Sequence, residues 1–400
     1  MGFSIIITYL LDAIGAFLLL NCIYLLFFAL VGHRKLPQLV PTVPIPPRRI
    51  CVLIPAYKAD EVILETAALA IAHQYEGVAH VVVVADGLQP QTLKALRSEG
   101  AGVVEVNFER STKGKALLHA LSVLPSNAFD VAVVLDADNI MGQGCLNRIN
   151  TAFAAGYRVV QAHRTAKNKG TAFALLDACN EEINNHIYRQ GPAAIGLSAA
   201  LIGSGMAFDY GYLRRLLTGI GETVGEDKEL DFRIARDQQK IAYLSDMYVY
   251  DEKIENAQVF TQQRTRWLAS QYEFLKKYAA EGVRQLVRHG NIEFFHKSLQ
   301  TFLVPRSLLM GILGVFFLLS LVLPFGPSVA FWAGLLVLLA AALGIALPAR
   351  LYNRQLLAAL VRLPYAIWCM CLAMFRINQT KTSFLATPHR AHHPIVPVKN

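Results

Sequence analysis

Hydrophobic and polar positions divide this chain into three stretches. From Ile5 to Val31 apolar residues run almost without a break. At 1.5 Å rise per residue, a helix of that length exceeds the ~30 Å hydrocarbon core of a bilayer. Between residues 37 and 49 stand Pro37, Pro41, Pro44, Pro46 and Pro47, which forbid a helix and predict an extended linker. The middle of the chain is different. β-branched runs at Ile50–Pro55, His80–Ala85, Gly102–Val106 and Val131–Leu135 predict four short strands. Helical patterns lie between them at Glu61–His73, Gln91–Ser98 and Gly114–Leu124. That alternation predicts an α/β domain with a doubly wound parallel sheet, whose ligands gather at the carboxyl ends of the strands. After Phe295 the chain turns apolar again. Ser307–Phe325 and Ser328–Ala349 are each long enough to cross a membrane, with an uncharged turn at Gly326 and Pro327 between them. Leu356–Phe375 is interrupted by Arg362 and Pro364 and is marginal for a span.

The average composition, 54% hydrophobic and 17% charged over 400 residues, excludes a disordered chain. A net charge of +9 would favour nucleic acid in a soluble protein. Here Arg34, Lys35, Arg48, Arg49, Arg350 and Arg354 flank apolar runs, and no basic stripe with interleaved aromatics occurs. Membrane lipids with anionic headgroups are therefore the expected partners, and nucleic acid is not. The amino-terminal run has no Lys or Arg before Arg34, unlike a cleaved signal peptide, so Met1 is expected outside and the middle of the chain in the cytoplasm of a bacterial-type inner membrane. Asp12 then falls near the outer interface. The basic tail, with Arg376, Lys381, Arg390 and Lys399, leaves the parity of the last segment open. Cys22, Cys51, Cys145, Cys179, Cys369 and Cys371 show no zinc-type spacing and read as reduced thiols.

Chemistry is expected where the strands end. The fourth strand leads into Asp136-Ala137-Asp138; in an extended segment both carboxylates would face the same side and meet one Mg²⁺ or Mn²⁺ together with a diphosphate. The first ends in Pro55-Ala56-Tyr57-Lys58 with Glu61 close behind, and the second in Asp86-Gly87. The third leads into Ser111-Thr112-Lys113-Gly114-Lys115 at a helix start, an anion site. Taken singly, each of these groups is as well explained as a cap, a turn or a solvated charge; together they are not. Neither a dinucleotide glycine fingerprint nor a phosphate-binding P-loop occurs. Further on come Gly203-Ser204-Gly205-Met206, then Gly225-Glu226-Asp227 before a helical stretch Lys228–Arg236, and Gln263-Arg264-Thr265-Arg266-Trp267. Thr261–Tyr278 reads as an amphipathic helix with Phe260, Trp267, Tyr272, Phe274 and Tyr278, suited to the cytoplasmic membrane face. His163, His186 and His296 have no ligand spacing.

An Asp after the second strand, an Asp-x-Asp, a Gly-Glu-Asp and a Gln-x-x-Arg-Trp, in that order, resemble the membrane-bound branch of glycosyltransferase family 2. That branch holds the cellulose, chitin, hyaluronan and poly-N-acetylglucosamine synthases. The resemblance spans roughly residues 48–270 and the flanking apolar segments. It implies a GT-A fold at 50–255, interface helices at 256–300 and transmembrane helices at 1–33 and 301–375. It also implies a nucleotide-sugar donor, commonly of uridine, a divalent metal, and inversion at the anomeric carbon. Carried across, Asp86 and Asp136 contact the nucleotide, Asp138 is the metal ligand, Asp227 the catalytic base and Glu226 its orienting neighbour. Gln263, Arg266 and Trp267 stand beside donor and acceptor. Pro55, Ala56, Tyr57, Glu61, Lys115 and Ala137 complete the expected donor site, and Gly203, Ser204, Gly205 and Met206 the acceptor side. Gly225 stands where the family more often has Thr, and Lys58 where it often has Asn. The acceptor is expected to be a growing polysaccharide, with a single transfer to a lipid, or a non-catalytic nucleotide sensor, as rivals. Three or four spans are few for a pore, so self-association is the route by which a channel would be completed.

Overall fold

The computed structural model describes residues 2–40, 46–223 and 225–375. Pro41 and Pro44 of the linker and the basic tail from Arg376 lie outside them. The strands are β1 (Ile50–Tyr57), β2 (Ala79–Asp86), β3 (Gly102–Val106), β4 (Val131–Val134), β5 (Ile140–Met141), β6 (Val159–Ala166), β7 (Met206–Asp209) and β8 (Ile241–Asp251). They form one eight-stranded sheet in the order β3-β2-β1-β4-β7-β6-β8-β5. The half from β3 to β4 is parallel, as the sequence pattern implies. The other half is mixed: β7 runs antiparallel to both β4 and β6, and β5 antiparallel to β8. The sheet is therefore Rossmann-like on one side only.

Alternation along β1 shows how the sheet is buried on both faces. Ile50, Val52 and Ile54 join one apolar cluster with Ile63 and Ala67 of the helix Asp60–Ile71. Cys51 and Leu53 point the other way, into a cluster with Leu117 and Leu121 of the helix Lys113–Val123. All six cysteines are free thiols.

A third apolar cluster lies among the outer helices. Leu18, Leu25 and Phe28 of the helix Gly2–Val31 pack against Trp332, Leu335 and Leu339 of the helix Val329–Ala346. Among the described residues two helices are long and apolar enough to cross a membrane, Ser4–Val31 and Val329–Ala346. The expected span Ser307–Phe325 is shorter than foreseen: the helix Arg306–Ser320 has 15 residues and is long enough to cross only together with Ile292–Thr301, from which it is bent by 55°. The expected Leu356–Phe375 is likewise broken, into Arg354–Leu360 and Leu363–Phe375 at 49°.

The predicted amphipathic stretch sits inside a helix of 33 residues, Ala257–His289, capped by Asn256, whose side chain accepts from the Val259 N–H at 2.9 Å. Its aromatics are divided rather than gathered on one membrane face. Phe274 and Tyr278 are buried against Phe232 and Phe294, whereas Trp267 and Tyr272 are exposed.

Candidate active site

The carboxyl ends of β1 and β2 lie in register, with Tyr57 beside Asp86. The Lys58 N–H donates to the Asp86 carbonyl at 2.9 Å. Pro55 and Ala56 are within β1, and Glu61 is exposed on the first turn of the following helix. Asp86 is buried, and its carboxylate accepts from the Ser111 hydroxyl.

The chain leaves β4 at Val134, so Asp136 and Asp138 are not on an extended segment as the same-face argument assumed. Asp136 to Asn139 form a turn closed by the Asn139 N–H on the Asp136 carbonyl at 3.0 Å. Ala137 lies half-buried between the acids. Asp138 is buried; its Oδ1 accepts from the Asn139 amide at 3.0 Å, and its carbonyl from Lys167 Nζ at 2.7 Å.

The helix Lys113–Val123 starts with a cap in which Thr112 accepts from the Lys115 N–H at 3.2 Å. Lys113, from its first turn, reaches into the site. Its ammonium pairs with Asp136, donates to the Gly203 carbonyl at 2.6 Å and stands 4.0 Å from Glu226. Burial works against its charge, but Asp136, Glu226 and Asp227 outweigh that and keep it protonated well above neutrality. Lys115, the lysine expected at the donor, lies elsewhere, donating to Glu222 at 2.6 Å and to the Arg110 carbonyl at 3.3 Å.

Gly203-Ser204-Gly205-Met206 is a hub rather than an open loop. Gly203 has φ +84°, and a Cβ there would stand 4.0 Å from both Glu226 Oε1 and Asp227 Oδ2, so this backbone rides on the two acids. At Gly205, φ +63°, a Cβ would come within 3.0 Å of Ala162 and Val249. Ser204 is buried, accepts from the Asp136 N–H at 2.9 Å and donates to Asn139 at 2.6 Å. Met206 opens β7.

Glu226 and Asp227 open the helix Glu226–Arg236. Burial raises both carboxyls above their ordinary range. For Glu226, Lys113 opposes the rise and Asp227 adds to it; for Asp227, Lys228 opposes and Asp231 adds. Arg266 answers this charge from the long helix: burial lowers its guanidinium, and Glu226 draws it back. One helical turn earlier the side-chain oxygen of Gln263 is buried without a hydrogen-bond partner. Trp267 is 42% exposed, with the Arg264 guanidinium 3.9 Å from its ring centre.

The structure thus brings Asp136, Gly203, Glu226 and Asp227 together around Lys113, with Asp86 tied in through Ser111 and Arg266 facing Glu226. Lys115 and Glu61 stay outside. Asn139, Lys167 and Asp251 escape the sequence reading. Asp251 accepts from the Asn139 amide at 3.1 Å and, like Lys167, lies at a strand end of the second half of the sheet, where the strand-end rule applies equally.

Among the described residues no three His, Cys, Asp or Glu side chains converge as a metal cluster. Two carboxylates on one turn, with no soft ligand, fit a hard divalent ion that completes its shell with phosphate oxygens and water. They do not fit a zinc-type site.

The description "Glycosyltransferase like family 2" matches residues 46–270, more than half of the chain. The chain belongs to that family. It is a glycosyltransferase, and its sheet is the Rossmann-like GT-A fold. The transferase is similar to a mannosyltransferase from Pyrobaculum calidifontis solved with GDP-Man and Mn²⁺: 18% identity, 93% of this chain and 99% of that one, TM-score 0.56. Glucosyl-3-phosphoglycerate synthase from Mycobacterium tuberculosis, solved with Mn²⁺, UDP and phosphoglyceric acid, matches at 20% identity over 52% of this chain and 71% of its own, TM-score 0.36. None of the curated proteins matches.

Proposed function

We propose that this glycosyltransferase moves a sugar from a nucleotide-diphosphate donor to an acceptor hydroxyl at the membrane surface, in one displacement with inversion. The observation that carries the reading is the convergence of Asp136, Glu226 and Asp227 on Lys113 and the Gly203 turn. Asp136 and Asp138 would hold a Mg²⁺ or Mn²⁺, the latter being the ion with which the similar mannosyltransferase was solved, and that ion would supply charge neutralisation of the departing diphosphate. Asp86 receives the nucleoside. Lys113 and Arg266 lend positive charge where negative charge builds on the leaving group. Asp227, whose raised carboxyl is a stronger base than an exposed one, takes the proton from the acceptor hydroxyl as the anomeric carbon passes through an oxocarbenium-like state. Glu226, next to it and nearer Lys113, orients these groups. Trp267 offers a flat exposed face to the acceptor ring.

The Gln-x-x-Arg-Trp motif favours a growing polysaccharide as acceptor. A second reading, one transfer to a lipid, draws on the outer helices: two full-length candidates and two bent pairs are few to enclose a channel within one copy. Donors screened in nanodiscs for released nucleoside diphosphate, followed by sizing of the product, test both readings. A ladder of chain lengths supports the polymerase, a single product supports the lipid acceptor, and no release from any donor contradicts the transferase.

A further inference from the structure

The long helix that carries Arg266 also carries a second arginine, which faces away from Glu226. Arg264 is buried, 4% exposed, and its guanidinium forms an ion pair with Asp177 of the helix Ala172–Asn185. It lies between two rings, 3.9 Å from the centre of Trp267 and 4.6 Å from that of Phe260. Phe260 in turn meets Phe173, one turn before Asp177, at 5.9 Å. A buried charge tied to a neighbouring helix is a costly way to fill space: burial disfavours the charged guanidinium, and Asp177 and Glu181 only partly offset that. What the arrangement achieves is a fixed plane: a planar cation pinned by a carboxylate holds the indole against it, while Trp267 stays 42% exposed.

We propose that Asp177 and Arg264 form a positioning pair that sets the plane of the Trp267 indole, and with it the site's grip on the acceptor sugar. The inference rests on the reading of Trp267 as the acceptor platform, and it separates two functions carried by one helix. Arg266 serves the donor; Arg264 serves the acceptor through the ring beside it. Among the described residues the hydrogen bond and ion pair of Arg264 go to Asp177, and the further charges that act on it are Glu181 and Arg164 rather than Asp136 or Asp227. Loss of the pair therefore loosens acceptor binding while leaving donor cleavage by water in place.

Arg264→Lys is the first variant to make, since lysine keeps the charge and its pairing with Asp177 but has no planar face to stack. Asp177→Asn is the second. With the full-length protein in nanodiscs, the KM for cellobiose or chitobiose as acceptor is expected to rise at least tenfold in both. The rate at which water alone releases nucleoside diphosphate from the donor should change less than twofold. An unchanged acceptor KM overturns the proposal, and so does hydrolysis falling in parallel with transfer. An independent reading comes from fluorescence in a Trp332→Phe/Trp368→Phe background, where Trp267 is the remaining tryptophan. Acrylamide quenching of Trp267 should increase in Arg264→Lys, and equal quenching contradicts the positioning role. If the wild type cleaves no donor, the transferase reading fails, and the quenching result alone decides whether Arg264 holds the ring.

Discussion

Two groups of charge in this enzyme, one around Glu181 in the helix Ala172–Asn185 and one around Glu226 at the start of the helix Glu226–Arg236, are balanced in opposite ways. In one, Glu181 meets Arg164 at 2.9 Å and Lys253 at 3.3 Å, and Lys253 also reaches Asp251 at 2.6 Å. Burial pushes the Glu181 and Asp251 carboxyls up, but Arg164 and Lys253 more than offset it and hold both below the ordinary range. In the other, Glu226 and Asp227 are half-buried, and the nearby cations do not suffice: both carboxyls stay above the ordinary range. Loss of solvent raises the carboxyls in both groups; the supply of counter-charge decides which way each ends. The matched group ties the sheet to the helix Ala172–Asn185. The unmatched group holds basic carboxylates that a transfer reaction can use.

The largest effect that sharpens this contrast is expected from Asp227→Asn. Transfer should fall by about 10³-fold, within the range general-base catalysis contributes. The melting temperature should not fall, because an amide removes a buried charge that the fold disfavours. Retained transfer would break the comparison. Glu181→Ala is expected to act on stability instead. Leaving Arg164 and Lys253 without their shared carboxylate should destabilise the protein by about 3–5 kcal/mol, measured by thermal unfolding in detergent. A neutral result would mean that the matched group is not structural. Arg266→Lys should lower turnover about tenfold, since a point charge reproduces a planar fork on phosphate poorly; wild-type rates would remove Arg266 from the donor site.

The pH dependence has opposite signs for the two groups. Depressed carboxyls such as Glu181 and Asp251 stabilise the fold above the ordinary carboxylate range, and that stability is lost as pH falls. Raised carboxyls such as Glu226 and Asp227 do the reverse, and the stability they give is lost as pH rises through their elevated values. The acid limb of kcat/KM should therefore lie above the ~3.9 of an ordinary Asp. A limb at the ordinary value would contradict a buried base. The smallest effect belongs to Glu222→Ala, which breaks exposed pairs with Lys115 and Arg110 and should leave the melting temperature unchanged.

The parallel half of the sheet was legible because its strands are runs of Val and Ile long enough to show a pattern. The mixed half was not. β5 has 2 residues and β7 has 4, too few for any periodicity, and their antiparallel pairing depends on contacts distant in sequence. At the site, Asp136, Glu226 and Asp227 were readable as acids following strands or opening a helix. The reason for their convergence was misjudged at Asp138, where a turn replaces extended chain. The choice between Lys113 and Lys115 also eluded the sequence: at ~100° per residue on a helix, two positions apart means nearly opposite faces. Only the packing of that helix on the sheet, through Leu117 and Leu121, decides which face is inside, and it is Lys113 that then reaches the Gly203 carbonyl.

The most direct test of the central claim is Mn²⁺ binding in the presence of a nucleoside diphosphate, followed by electron paramagnetic resonance on the full-length protein in nanodiscs. Wild type and Asp227→Asn should both bind the ion with the nucleotide, and Asp138→Ala should lose it. Equal binding by Asp138→Ala and wild type would contradict the account.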